Sequence, residues 1–442
     1  MNDRPLIATT LLVGLVACQP DTETLAPGIT SIDEESPSGR TATIVHCGRL
    51  IDGLSGEPKL DQTIVIVDGR IDTLTSEQAI VRDIDLSDYT CLPGLIDTHA
   101  HMVEGTDTAD LSVYLTRTSE EQQGIATELA WKTLAAGFTT VRNLAAYDGF
   151  ADVVLRDRID SGEIPGPRMQ VSGFYLTIPG GGGDLLIPGY AEDEIPARLR
   201  MGVSRGPEEF RRNALKAING GASVLKVIAS GAVLAYGGVP GSPEMTPEEI
   251  AAVVEVGHAA GIKITAHAHG AESIKNAILA GADSIEHASL ADDEAITLAL
   301  EHDVAFSMDI YNGTYIASVG REEGWPEEFL RKNDETTEAQ RQVFSKAVAA
   351  GVPIIYGTDS GVYPHGDNGK MFAIQVERGM NPMQSIQSAT SVAAKYMGWE
   401  RDVGAIVPGR YGDIVAVRGN PLEDISLLEN VEVVIKGGVR YK

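Results

Sequence analysis

The 442-residue chain is short of positive charge, short of cysteine and without a long hydrophobic run. Lysine and arginine total 35 against 63 aspartates and glutamates, for a formal net charge of −28. A surface this acidic repels phosphate backbones and anionic lipids, which excludes nucleic acid as a natural partner. Its simplest account is a solvated face. The apolar run Leu6 to Ala17 is too short to span a bilayer, and no later segment reads as transmembrane. No Gly-x-Gly-x-x-Gly opens a helix after the first strand, so a dinucleotide-binding fold is disfavoured. A hydrophobic content of 43% with 22% charged residues leaves an ordinary globular chain, long enough for one elaborated barrel or for two domains.

The N-terminus carries its own signals. Arg4 ahead of Leu6–Ala17 reads as the charged and apolar parts of a signal peptide over residues 1–17. Leu15-Val16-Ala17-Cys18 resembles a bacterial lipobox, which makes Cys18 the lipidated first residue of an exported protein, periplasmic or anchored to the outer membrane. A plain signal peptide cut after Ala17 is the other reading. Residues 18–40 are rich in Pro, Ser, Thr, Asp, Glu and Gly and form a flexible tether. With Cys18 set aside, only Cys47 and Cys91 remain. An oxidising compartment permits a disulfide between them, and two buried thiols are equally compatible with the sequence.

Residues 41–92 read as short strands separated by Asp-Gly and similar breakers, and residues 403–442 have the same texture. One small β-sandwich subdomain assembled from both ends is expected. Between them, residues 93–402 alternate strand and helix. Thr246-Pro247-Glu248-Glu249 is a capping box opening a helix, KITAHAH a strand, AESIKNAILA a helix stopped by Gly281, and ADSIEH a strand followed by a helix from about Asp292. Repeated units of this kind predict an α/β (β/α)8 barrel, whose chemistry sits at the C-terminal ends of its strands. The charged stretch 321–340 reads as a helical excursion near the rim of the site.

The chemistry-bearing residues fall at those ends. His99 and His101, in LPGLIDTHAH, share one face of a strand and could hold one divalent cation between them. Lys226 lies in the apolar run SVLKVIAS, where an unpaired lysine is costly to bury. His267 ends KITAHAH, His287 ends DSIEH, and Asp359 follows VPIIYGTD. Each alone has a bland reading; six in strand order do not.

This set resembles the metal-dependent amidohydrolase superfamily in its two-metal form. PGLIDTHAH, the Lys226 strand, HAHG, IEHAS and GTDSG carry the resemblance, and HCGRLIDG with GAIVPGRYGDIVAV is similar to the flanking β-sandwich. HAHGAESIKNAILAGADSIEHAS and GTDSGVYPHGDNG point to the Xaa-Pro-dipeptidase-like branch, which includes hydrolases of N-acyl amino acids and of ochratoxin. The resemblance implies two divalent metal ions, most often Zn2+. His99, His101 and Asp359 would hold one and His267 and His287 the other. Lys226, carbamylated to N6-carboxylysine, would bridge them. It further implies that a small amide or dipeptide substrate loses its C-terminal amino acid to a metal-activated water, with Asp359 moving the proton. No serine nucleophile or nucleophile elbow is expected. Homo-oligomers are common in this branch, although no stretch here marks an interface.

Further contacts follow as candidates. His269 shares a face with His267 and is assigned to the substrate carbonyl or transition state. Tyr236, just after the Lys226 strand, is a candidate donor to the carbonyl, with ordinary loop packing as the alternative. Arg142 and His365 are candidates for a substrate carboxylate, although Arg142 also suits a structural ion pair. Related proteins often carry Gly-Gly-His-Gly-Asp where this chain has Gly180 to Asp184 without histidine. With Gly182 the pocket is wider or recognises its ligand differently, which leaves room for a bulky acyl group, and the four glycines suggest a mobile loop. Two rival readings remain: a one-metal deaminase or cyclic-amide hydrolase using Glu272 of His269-x-x-Glu, and a non-catalytic ligand-binding lipoprotein.

Overall fold

The computed structural model describes residues 42–77, 82–104 and 110–442; the expected signal peptide, the tether and Cys18 lie outside them. The strands in chain order are β1 (Ala42–Leu50), β2 (Lys59–Val67), β3 (Arg70–Thr75) and β4 (Ile84–Pro93). Next come β5 (Leu95–Ala100), β6 (Phe138–Asn143), β7 (Arg168–Val171), β8 (Val224–Ile228), β9 (Lys263–Gly270), β10 (Ser284–Leu290), β11 (Ala305–Ser307) and β12 (Ile354–Ile355). The last are β13 (Ile414–Arg418), β14 (Val433–Lys436) and β15 (Val439–Arg440).

Both ends of the described chain build one seven-stranded sheet, in the order β15-β14-β13-β4-β1-β2-β3. Alternation along the strands puts Val45, Ile64, Ile66, Leu86, Ile414 and Ile435 into a shared apolar layer. Cys47 on β1 and Cys91 on β4 are joined there by a disulfide, with Cα atoms 6.0 Å apart. Of the two readings open to these cysteines, the pair is the one adopted.

Strands β5 to β12 form two parallel sheets, β5-β6-β7 and β8 to β12. Backbone hydrogen bonds close both seams. Leu176 N donates to Lys226 O and Ile228 N to Leu176 O at one; Thr98 N donates to Tyr356 O and His101 N to Ser360 O at the other. Eight parallel strands thus form a closed ring, filled and flanked by the largest apolar core. Gly94 allows the passage from β4 into β5, because a Cβ there would lie 2.0 Å from Thr139 Oγ1.

The helix signals act as the sequence predicts. Thr246 Oγ1 accepts from Glu249 N and Glu249 accepts from Thr246 N, opening the helix Pro247–Ala259. AESIKNAILA is the helix Ala271–Ala280, ended by Gly281 at φ 98°. Asp292 caps Asp293–Glu301 through Ala295 N at 2.8 Å. The charged stretch near 321–340 becomes the start of the helix Glu327–Ala350. Among the described residues, no helix is long and apolar enough to cross a membrane.

Candidate active site

One cavity collects the polar strand ends. His99 reaches it from β5 and His101 from just beyond that strand, Lys226 from β8, His267 and His269 from β9, His287 from β10, and Asp359 from the turn after β12. Asp359 Oδ1 stands 3.2 Å from His99 Nε2 and 3.0 Å from His101 Nε2. The His267 and His287 rings are 4.5 Å apart, and His269 lies 4.7 Å from each. Ligand atoms of His267, His269 and His287 converge within 4.8 Å, as do those of His99, His287 and Asp359. His287, at φ 71°, and Asp359, at φ 59°, hold the left-handed backbone conformation, which breaks strand alternation and turns each side chain inward.

Each imidazole has one nitrogen engaged by the protein. His99 Nδ1 lies 2.9 Å from Glu286 Oε2, and His287 Nδ1 lies 2.9 Å from Asp309 Oδ1. His269 Nδ1 meets Ser289 Oγ at 2.8 Å, and His267 Nε2 meets the Gly231 carbonyl at 3.3 Å. His101 Nδ1 faces Tyr175 Oη at 3.2 Å, and that hydroxyl also donates to Glu104 at 3.1 Å. The remaining nitrogen of His267, His269 and His287 is left for a ligand, while Nε2 of His99 and of His101 faces Asp359 Oδ1; one engaged nitrogen per ring is the arrangement that orients metal-binding histidines. Asn312 Nδ2 donates to Asp309 Oδ2 at 3.0 Å and to Asp359 Oδ2 at 2.9 Å, linking the two clusters.

Comparison with known proteins decides the family. The Amidohydrolase family profile matches residues 90–440. The chain belongs to the amidohydrolase family. It is 31% identical over 426 residues to ochratoxinase of Aspergillus niger, covering 90% of this chain and 86% of that one. Its structure is similar to that of a Xaa-Pro dipeptidase with bound methionine, at 37% identity and TM-score 0.84, covering 91% of this chain and 100% of the other. It is likewise similar to A. niger ochratoxinase, at 29% identity and TM-score 0.81, covering 91% and 96%. This amidohydrolase is a hydrolase of C–N bonds.

Burial governs the protonation of its site. Desolvation pushes His99 down to about 4 and His269 to about 3, and holds His267 well below its ordinary value, so these rings are neutral. Burial also lowers His101 and His287, but the Asp359 and Asp309 carboxylates outweigh it and raise both. Lys226 is 2% exposed. Burial lowers its amine to about 8 against the pull of Glu286 and Asp359. Among the described residues, its Nζ makes no hydrogen bond or ion pair.

Three of the sequence-predicted contacts lie elsewhere. Arg142 is 1% exposed beneath the site, donating to Glu286 Oε1 at 2.7 Å, Thr98 O at 2.6 Å and Ser284 Oγ at 3.2 Å. It is the structural ion-pair residue, and it does not line the cavity. His365 is buried between Thr133 Oγ1, at 2.8 Å, and the His101 carbonyl, at 3.3 Å, so neither ring nitrogen is free for substrate. Tyr236 stacks on Phe329 with centroids 4.8 Å apart, outside the lining; Tyr175 stands in the cavity wall instead. Glu272, the acid of the deaminase reading, is exposed in the first turn of its helix and also outside the lining.

Gly182 does line the cavity. Its loop is pinned: Gly182 N donates to Glu244 at 2.8 Å, Gly180 N to Asp184 at 2.9 Å, and Asp184 pairs with Arg200 at 2.6 Å. The long helix Glu327–Ala350 adds Asn333, Thr336 and Gln340, one face at helical spacing, to the wall. Sequence reading passed over Glu104, Tyr175, Glu286, Asp309 and Asn312. Glu286 had one signal, its place beside His287. It also passed over Gly202-Val203-Ser204-Arg205-Gly206, which has the spacing of a nucleophile elbow. Ser204 is 1% exposed, donates to the Gly202 carbonyl and is not part of the cavity.

Proposed function

We propose that this amidohydrolase binds two divalent cations and releases a C-terminal amino acid from Xaa-Pro dipeptides, N-acyl amino acids or ochratoxin-like amides. The observation that carries the reading is Lys226, a buried amine with no hydrogen bond or ion pair, set in one cavity with five imidazoles of which His99, His267 and His269 are neutral. Nitrogen and oxygen donors at strand ends fit zinc. His99, His101 and Asp359 would hold one ion and His267 and His287 the other. Carbamylation by CO2 would make Lys226 an anionic oxygen ligand between them, removing the cost of its burial. Such ions supply Lewis acidity, polarising an amide carbonyl and lowering the pKa of water.

The chain's own groups complete the reaction. Asp359 takes the proton of the attacking water and delivers it to the departing amine, because an amide nitrogen does not leave as an anion. Asn312 Nδ2, donating to its Oδ2, holds that carboxylate in place. In the tautomer where Nδ1 accepts from Ser289 Oγ, 2.8 Å away, His269 carries its proton on Nε2, the nitrogen that would hydrogen-bond the carbonyl oxygen as charge develops. The ochratoxinase and Xaa-Pro dipeptidase relatives support an amino-acid leaving group. The Cys47–Cys91 disulfide supports an oxidising location, and with it the export read from the N-terminus.

Metal content per chain, measured on protein grown with zinc and bicarbonate beside Lys226→Ala, tests the site. Two metals are expected, falling sharply in the variant together with amide hydrolysis. One metal that ignores the loss of Lys226 overturns the binuclear reading. No amino-acid release across Xaa-Pro, N-acyl-phenylalanine and ochratoxin-like amides overturns the substrate class.

A further inference from the structure

Glu104 is a carboxylate in the cavity wall that the reaction above does not use. Glu104, Tyr147 and Tyr175 each stand four residues beyond the end of a strand, β5 at Ala100, β6 at Asn143 and β7 at Val171. Those strands are neighbours in one parallel sheet. The three residues therefore meet at one end of the barrel, in the lining beside His101.

Glu104 is 9% exposed, and burying a carboxylate is costly unless donors satisfy it. Here they do. Oε1 accepts the Tyr147 N–H at 2.8 Å and Oε2 the Tyr175 hydroxyl at 3.1 Å, while the Glu104 carbonyl accepts from Arg117 Nη1 at 3.1 Å. The Tyr175 ring packs on Tyr147, and Tyr147 on Tyr114, with centroids 5.2 Å apart in both pairs. Among the described residues, no lysine or arginine pairs with the Glu104 carboxylate, whose Oε2 lies 3.5 Å from His101 Nδ1.

The direction of these bonds follows from what each group can do. A carboxylate only accepts, so the Tyr175 hydroxyl proton turns toward Glu104. A lone pair of that oxygen then faces His101 Nδ1, 3.2 Å away. With His101 Nε2 turned to a cation, the proton of the neutral ring lies on Nδ1, where the hydroxyl oxygen accepts it. The other imidazoles of the lining meet their partners directly: His99 meets Glu286, His287 Asp309, His269 Ser289 and His267 the Gly231 carbonyl. His101 instead meets its carboxylate through a hydroxyl. That hydroxyl has spent its one proton on Glu104, so it has none to donate to a substrate.

We propose that Glu104 and Tyr175 are positioning residues, a carboxylate–hydroxyl relay that holds the His101 proton on Nδ1 and keeps Nε2 for the cation shared with His99 and Asp359. The inference rests on the two-cation reading above. It adds a pair of residues that serve one of the two cation positions and not the other.

Competition with a zinc chelator, counted per chain on full-length protein loaded with two ions, tests the relay. In Tyr175→Phe one ion is expected to be held about ten- to a hundredfold less tightly, the scale on which such partners act, and the other as in the wild type. Glu104→Gln removes no bulk from the cavity. Its amide N–H2, set against Tyr175, donates to the hydroxyl, which then turns its proton to His101 Nδ1 and drives the ring proton to Nε2. The same ion should therefore weaken, and this variant carries the test if Tyr175→Phe fails to fold.

Wild-type affinity for both ions in either variant overturns the relay and leaves the two-cation reading standing. Equal weakening of both ions, with a lowered urea midpoint, marks a general loss of structure and overturns it too. A raised KM for an Xaa-Pro dipeptide with both ions retained makes Tyr175 a substrate contact instead. Wild-type protein that holds fewer than two ions overturns the two-cation reading, and the relay with it.

Discussion

Asp97 on β5 and Thr358 beyond β12 are joined twice: Oδ1 accepts the Thr358 N–H at 3.0 Å, and Oδ2 accepts its hydroxyl at 2.5 Å. Oδ1 also accepts His99 N at 3.1 Å, and Oδ2 accepts Asn368 Nδ2 at 2.8 Å. One buried carboxylate therefore sets the strand of His99 against the turn of Asp359, which is how two cavity residues far apart in sequence keep a fixed separation. Asp97→Asn turns an amide N–H2 toward these donors and leaves at least one unpaired. A loss of about 1–3 kcal/mol is expected in urea unfolding, with weaker metal retention.

The same residue gives a pH test. Burial pushes Asp97 up from 3.8 to about 6, so the folded state binds its proton more tightly than the unfolded chain does. Its contribution to stability is present at low pH and is lost as pH rises through that window. Asp97→Asn lacks this titration. The gap in unfolding free energy between wild type and variant should narrow as pH rises from about 4 to about 6; a gap independent of pH contradicts the assignment.

Arg142 and Glu286 form a fully buried pair, and breaking it leaves a bare charge in the barrel. Arg142→Met should cost about 3–5 kcal/mol of stability, where a substrate contact would instead show as a rise in KM at unchanged stability. Chemical denaturation beside steady-state kinetics separates the two, and a stable variant with raised KM returns Arg142 to the substrate.

Local signals in the sequence were strong and long-range ones silent. KITAHAH and AESIKNAILA fall on the observed strand and helix almost residue for residue, because period and caps are written within each segment. That His99, His101, Lys226, His267, His287 and Asp359 would meet in one cavity was legible for the same reason: each ends an apolar run. Arg142 was ambiguous because its partner Glu286 lies 144 residues away. Glu286 escaped notice because alternation puts it opposite His287, and the left-handed backbone at His287, which brings both inside, leaves no mark in the sequence. Tyr236 was misjudged because nearness in chain to Lys226 does not say which way the loop turns. Tyr175 reaches the site from a segment with no strand signal of its own.

The Cys47–Cys91 bridge closes a 44-residue separation across neighbouring strands of the terminal sheet. The chain-entropy account predicts a loss of about 2–4 kcal/mol on its removal. Reduction should lower the urea midpoint of the wild type, and Cys47→Ala with Cys91→Ala should reproduce the lower midpoint and make it insensitive to reductant. A midpoint equal in all four conditions would show that the bridge contributes nothing.

Lys226 supplies the test of how the site matures. CO2 adds only to the neutral amine, releasing a proton as the carbamate forms, and burial brings that amine down to about 8. The neutral fraction therefore grows as pH rises through about 8, whereas an ordinary exposed lysine stays charged there. Metal-stripped enzyme held at fixed dissolved CO2 should regain metal and amide hydrolysis faster as pH is raised through this value. CO2-free buffer should slow both, and added bicarbonate should restore them. Lys226→Ala should show no response to either. Reloading at one rate with and without CO2 would remove the carbamate from the site and leave Lys226 as an unmodified buried amine, whose lack of an anion would then need another explanation.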